Sequence, residues 1–366
     1  MSLFQIDAGK EWRGGQRQVL FLARALKAKG RRFRLVCQPG SPLHEKAAAE
    51  GLPVLPIRMR SELDLPAVLK LARAMKREGC RLAHFHDAHA VAVGKAAAAL
   101  AKVPLRIISR RVDFPVKSRR RYVKNVDAVI AISDEVKRVL VKGGVPAKLV
   151  EVVPSGVDFA PFRDVADRDF LRRELRFRPD DYLVGIVAQL EDHKGHRYLI
   201  DATRVIKEET PRIKLIVVGS GSLEMELSRQ AQDLGVEDLV FFLGFREDVP
   251  RILASLDLFV LSSHMEGLGS SILDAMAAKL PVVATRAGGI PEIVVHRETG
   301  LLVPPRSPSA LAEAVLKLYK DRKLAAALGA KGFEVVHEKF SAEAMAERIV
   351  EVYGRLAAKK GVRIDG

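Results

Sequence analysis

One stretch of the chain places carboxylates on both sides of what reads as an anion site. It runs Ser263-His264-Met265-Glu266-Gly267-Leu268-Gly269-Ser270-Ser271-Ile272-Leu273-Asp274-Ala275-Met276-Ala277 and follows the apolar run Leu258–Leu261. Gly267 and Gly269 let the backbone come close to a ligand. Ser270 and Ser271 can open a helix, and the first N–H groups of a helix have no partner within it, so they suit phosphate oxygens. Glu266 lies before that helix. Asp274 lies one turn inside it, on the face of Ser270. This pattern suits a ligand with hydroxyls at both ends of a pyrophosphate, and a sugar nucleotide is such a ligand. An early Asp meeting the helix dipole accounts for Asp274 but not for the rest.

Other residues invite a chemical reading. Val218-Gly219-Ser220-Gly221 lacks the third glycine of a dinucleotide fingerprint, which argues against a dehydrogenase. His84 and His86 end a strand, point to one face, and are followed by Asp87 and His89, so zinc has to be considered; no further metal signature supports it, and no metal is expected. Gly14 and Gly15 precede a helix, in what is either a ligand loop or a flexible surface loop. Arg110 and Arg111, with the basic run Lys117 to Arg121, occupy a strand-to-helix loop that would attract an acceptor bearing phosphate; a solvated basic face is the plainer alternative. Cys37 and Cys80 have no metal or redox spacing and read as buried thiols.

Short apolar, β-branched runs alternate with helical stretches almost throughout, which predicts parallel sheets covered by helices. The first series of strands is Leu3–Asp7, Phe33–Cys37, Val54–Ile57, Leu82–His86, Leu105–Ser109, Ala128–Ile132 and Leu149–Val153. The turn-rich Pro154–Asp158 and the charged stretch to about residue 180 then read as a linker. A second series follows at Leu183–Val187, Lys214–Val218, Leu239–Phe242, Leu258–Leu261, Val282–Thr285 and Leu301–Val303. The chain ends in a helix that Ser341 can cap, with Met345, Ile349, Val352 and Leu356 on one face. The fold class is therefore α/β, with two doubly wound Rossmann-like domains over 1–160 and 161–340 and a helix over 341–366. Ligands of such sheets bind beyond the carboxyl ends of the strands.

The formal charge of +16 is uneven. Residues 1–160 hold 31 Lys and Arg against 14 Asp and Glu, and the remainder holds 30 against 31. The basic half suits an anionic partner such as a membrane surface, a phosphorylated lipid or nucleic acid. Against specific nucleic-acid binding, aromatic residues are only 6% and no basic recognition helix is visible. No secretory leader and no spanning run are apparent, so a cytoplasmic protein is expected, with peripheral attachment to the inner face of the membrane as an extension of the charge argument.

The loop of Glu266 resembles that of the retaining glycosyltransferases of family 4, which have the GT-B fold. That family carries Glu, seven residues, then a second Glu followed by Ala-Met; here the positions hold Glu266, Asp274, Ala275 and Met276. Gln189-Leu190-Glu191-Asp192-His193-Lys194-Gly195, Gly219-Ser220-Gly221, Ala287-Gly288-Gly289-Ile290-Pro291-Glu292 and Thr299-Gly300-Leu301 are similar to further family segments. The resemblance implies an NDP-sugar co-substrate and no resident cofactor or metal. It places Glu266 on hydroxyls of the donor sugar, the amides of Gly267, Leu268, Gly269, Ser270 and Ser271 on sugar and phosphate oxygens, and Asp274 on the ribose. Lys194 would stabilise the leaving diphosphate, Gly14, Gly15 and Gly219 would line the donor, and His86 would lie near sugar and acceptor. Gln189 stands where the family has Arg, which removes one cation of the usual pair. The implied reaction is transfer of a hexose-type sugar to a glycan or lipid-linked acceptor, such as a lipopolysaccharide core or O-antigen intermediate of the cell envelope. The implied geometry is two domains facing across a cleft, with the last helix returning to the first. A sugar-nucleotide epimerase of the same architecture is the alternative.

Overall fold

Hydrophobic runs without polar alternation have to be covered on both faces, and both series of strands are. The computed structural model describes residues 2–163, 165 and 167–364. Two compact units emerge, Met1–Gly156 with Ala342–Gly366, and Val157–Ser341.

The first unit holds strands β1 (Ser2–Ile6), β2 (Phe33–Cys37), β3 (Val54–Pro56), β4 (Cys80–Phe85), β5 (Leu105–Arg110), β6 (Ala128–Ala131) and β7 (Val150–Val152). They form one parallel sheet in the order β3-β2-β1-β4-β5-β6-β7. The second unit holds β8 (Tyr182–Val187), β9 (Ile213–Val218), β10 (Val240–Phe242), β11 (Leu258–Leu261), β12 (Val282–Thr285) and β13 (Leu301–Val303). These form a parallel sheet in the order β10-β9-β8-β11-β12-β13. Each sheet grows outward on one side of its first strand and then on the other. The reversal falls between β1 and β4 in one sheet and between β8 and β11 in the other. Loops beyond the carboxyl ends of these paired strands part there and leave room for a ligand.

The last helix, Ala342–Lys359, packs on the helix Gly14–Ala28. Its Met345, Ile349, Val352 and Tyr353 are buried in the core of the first unit, and Leu356 packs at the margin. Burying each such side chain is worth about 1.5–3 kcal/mol.

Two local expectations change. Gly14 and Gly15 are the first residues of their helix and do not precede it. The charged stretch after Asp158, expected as a linker, is folded into the second unit. Leu171 is fully buried there, and Arg172 donates to Asp257 Oδ2 at 2.7 Å, to Asp181 O at 3.0 Å and to Ser255 O at 3.2 Å. Those charges are spent on the fold, so composition alone misreads them as solvated. Positions 1, 164, 166, 365 and 366 of the domain ranges lie outside the described residues. Among the described residues, no helix is long and apolar enough to cross a membrane. Cys37 and Cys80 are free and buried, and burial pushes both thiols up to about 12.

Candidate functional site

In the second unit, two loops at the β8–β11 reversal are laced together. The loop after β8 ends in a single turn, Asp192–Lys194. His193 O accepts from the N–H groups of His264 at 2.9 Å and Met265 at 3.4 Å, and Ser262 Oγ donates to Lys194 O at 3.1 Å. This lacing brings Lys194 Nζ to 2.6 Å from Glu266 Oε2, and Ser263 Oγ donates to the same oxygen at 3.1 Å. The two charged side chains are only 18% and 12% exposed, so each needs the other. Glu266 Oε1 has no protein partner among the described residues, and Lys194 has N–H groups to spare.

A third loop, after β12, holds Glu266 by its backbone. Gly289 N–H donates to Glu266 O at 3.0 Å. Gly288 sits at φ +52°, and a Cβ there would lie 1.8 Å from Glu266 O, so only glycine fits. The helix Ser270–Ala277 starts from Gly269 at φ +92°, a cap without a side chain to accept from the first turn. Its opening N–H groups therefore have no side-chain cap, and uncapped helix N–H groups suit an anion. Leu268 is buried, so only its backbone can serve a ligand, and Asp274 is 4% exposed in the second turn. Gly219 serves packing directly: a Cβ would lie 2.0 Å from Ala188 O in the loop that leads to Lys194.

The first unit has its own polar cluster at the β1–β4 reversal. Asp7, 1% exposed, accepts from Gly9 N–H at 2.9 Å and Gln16 Nε2 at 3.0 Å. Burial, and next the charge of Asp87, push its carboxyl up to about 6. Asp87 caps the helix Ala88–Leu100 through Ala90 N–H at 3.0 Å and accepts from Ala8 N–H at 2.5 Å. His86 is 5% exposed, with Nε2 bonded to Gln5 Oε1 and Nδ1 at 3.1 Å from Arg111 Nη2. Burial, then His84 and Arg111, hold His86 well below the ordinary histidine range. Arg110 turns inward, donating to Tyr122 Oη at 2.5 Å and to Phe114 O. Arg111 donates to His86 O at 2.9 Å, and its stem lies 3.7 Å from where a Cβ on Gly15 would stand. Among the described residues, no three His, Cys, Asp or Glu side chains group as metal ligands.

Two family models cover most of the chain: "Glycosyltransferase Family 4" over residues 12–160 and "Glycosyl transferases group 1" over 167–335. A GDP-mannose-dependent alpha-(1-6)-phosphatidylinositol monomannoside mannosyltransferase of Mycolicibacterium smegmatis is 32% identical over 345 residues, 86% of this chain and 88% of that one. The chain belongs to glycosyltransferase family 4. Several other curated relatives in family 4 are matched over only 52% to 63% of their length. HepE of Anabaena, solved with UDP and glucose, superposes with a TM-score of 0.87 at 23% identity, covering 97% of this chain and all of that one. That likeness confirms the GT-B fold.

Of the residues that the family 4 resemblance singled out, Lys194, Glu266 and Gly267 to Gly269 lie on adjoining loops of the second unit, and Ser270, Ser271 and Asp274 on the helix that follows. His86 and Gly15, which the resemblance also named, gather in the first unit with Arg111, which the basic loop had singled out. Sequence reasoning missed Ser263, Gln5, Asp7, Gln16 and Tyr353. Asp7 was visible as a charge closing an apolar strand. Tyr353 lies on an apolar helical face, and only tertiary structure shows what its hydroxyl meets.

Proposed function

We propose that the chain is a retaining, metal-independent transferase that moves a hexose-type sugar from an NDP-sugar to a hydroxyl of a glycan or lipid-linked acceptor. The observation that carries this reading is the Lys194–Glu266 pair beside a glycine-capped helix N-terminus. Glu266 Oε1 is open for a sugar hydroxyl, and Lys194 has N–H groups for a diphosphate. The amides from Leu268 to Ser271 supply further donors, and Asp274 takes the ribose. Charge growing on the leaving diphosphate would be met by fixed donors in a partly dry site, where they act most strongly. The ammonium and the helix N–H groups supply what a metal would otherwise supply. In the step, the bond from the anomeric carbon to the β-phosphate oxygen breaks and the acceptor oxygen bonds on the same face. The acceptor proton passes to the departing phosphate, so no enzyme nucleophile is needed.

An anionic acceptor fits the first unit, where Arg111 is the cation at the end of the sheet. Leu63 and Leu65, 92% and 62% exposed, adjoin the basic helix Arg119–Val123 through the Glu62–Arg121 ion pair at 2.9 Å. Apolar tips among basic side chains suit an anionic lipid surface, and co-sedimentation with anionic vesicles that weakens with salt tests this. The M. smegmatis relative is named for a phosphatidylinositol monomannoside, and HepE was solved with UDP. The relative is named as a transferase, and neither name supports an epimerase.

The test is thermal-shift titration with UDP, GDP, ADP and their sugar conjugates, on the wild type and on Glu266→Ala. A ligand at about 100 times its Kd should stabilise by about 2.7 kcal/mol. One nucleotide series should stabilise the wild type, and the sugar-dependent part should vanish in the variant. No response to any nucleotide overturns the reading.

A further inference from the structure

The donor site leaves unused a buried chain of hydrogen bonds in the first unit. Gln5 and His84 are register partners on β1 and β4, so both side chains leave the sheet on one face, and His86 follows two residues on. Tyr353 of the last helix closes that face. Its Oη lies 3.0 Å from Gln5 Nε2 and 2.6 Å from His84 Nδ1, and His84 Nε2 lies 2.8 Å from Ser109 Oγ. Gln5, His84, His86, Ser109 and Tyr353 are each less than a tenth exposed, so water cannot replace a missing partner.

The direction of this chain follows from Arg111. A guanidinium only donates, so His86 Nδ1 must be bare and the ring proton must sit on Nε2. The Gln5 oxygen then faces His86, and its NH2 faces Tyr353. Tyr353 accepts that bond and spends its one O–H on His84 Nδ1. His84 is left with a proton on Nε2 for Ser109. Reversing the Gln5 amide would put a proton on His86 Nδ1, against Arg111.

We infer that Tyr353 is a positioning residue: through Gln5 it holds His86 as the Nε2–H tautomer, whose bare Nδ1 orients the Arg111 guanidinium. This rests on the proposal that Arg111 meets an anionic acceptor. The groups that face His86 are His84 beside it, with ring centroids 4.0 Å apart, Gln5 on β1 and Arg111 after β5. The carboxylates of Asp7 and Asp87 face Arg111 in turn.

The first experiment is NMR of the ring nitrogens in full-length, isotope-labelled protein, with Tyr353→Phe alongside. The wild type should show His84 and His86 as neutral Nε2–H tautomers from about pH 6 to 8. Tyr353→Phe keeps the ring in the core but should mix the tautomers of both histidines. It should lower kcat/KM about tenfold for the acceptor, the scale of one lost buried hydrogen bond, and leave the nucleotide-induced thermal shift unchanged. Gln5→Glu is the second variant. Its carboxylate favours a second proton on His86, at Nδ1 and against Arg111, so an acid limb absent from the wild type should appear in the pH profile. A wild-type His86 that is Nδ1–H or cationic overturns the inference. So do ring signals and acceptor kinetics unchanged in both variants. Failure of the wild type to respond to nucleotides would instead overturn the donor reading and leave the tautomer measurement intact.

Discussion

Replacing Asp7 by Asn should stabilise the first unit at neutral pH, although it removes a buried hydrogen-bonding carboxylate. Asp7 is raised from an ordinary 3.8 to about 6, by burial first and by Asp87 second. A carboxyl whose folded pKa is raised favours folding fully below its unfolded pKa, and that contribution is lost as pH rises through the folded one. The window is therefore about pH 4 to 6, and a rise of this size corresponds to about 3 kcal/mol. Asn does not titrate, and Gln16 can turn its amide to accept from it while Gly9 N–H keeps an oxygen partner. The stability of Asp7→Asn relative to the wild type should thus rise by about 2 kcal/mol between pH 4 and pH 7, the part of the full effect that lies in this interval. Trp12, the single tryptophan of the chain, packs against the core of the first unit, so its fluorescence in urea reports that unit alone. A difference between the two proteins that is the same at both pH values would refute the argument that Asp7 is buried with a displaced titration.

Two further outcomes follow from the second unit. At 2.6 Å and an effective dielectric near 20, the gross attraction of Lys194 and Glu266 is about 6 kcal/mol, most of it offset by desolvation. A double-mutant cycle with Lys194→Met and Glu266→Gln in urea should therefore return a coupling of about 2 kcal/mol, and additive single effects would contradict the pairing. Gly288→Ala should cost at least about 1–3 kcal/mol from backbone strain alone and displace Glu266. Nucleotide-induced stabilisation should be lost while the Trp12 transition stays put, and a wild-type nucleotide response would show that the third loop does not hold the site.

The strands were legible because each is a short, β-branched run with turn residues at its ends, and their ends moved by at most two residues. The loop of Glu266 was legible for a similar reason: two glycines, two serines and two carboxylates fall where a strand gives way to a helix. The pairing of Lys194 with Glu266 was not, since 72 residues separate them and only the adjacency of β8 and β11 brings them together. Arg110 and Arg111 are indistinguishable as letters. One completes a strand and turns to Tyr122, whereas the next lies beyond the strand and reaches His86. The charges of 160–180 misled because composition records how many there are and not what they touch.

The second unit is, in chain terms, an insertion. Val157 N–H donates to Phe340 O at 2.8 Å, so the strand of chain that leaves the first unit and the one that returns are fastened side by side. The hydrogen bond between Gln5 and Tyr353 spans 348 positions. At synthesis rates of about 5–20 residues per second, the first strand of the chain waits tens of seconds for the helix that completes its core. Throughout that interval the core of the N-terminal unit lacks Met345, Ile349, Val352 and Tyr353, while the inserted unit has all of its sequence before the last helix is made. The domain written first is thus the one finished last, and a nascent chain stalled short of the final helix would carry a complete second unit behind an open first one.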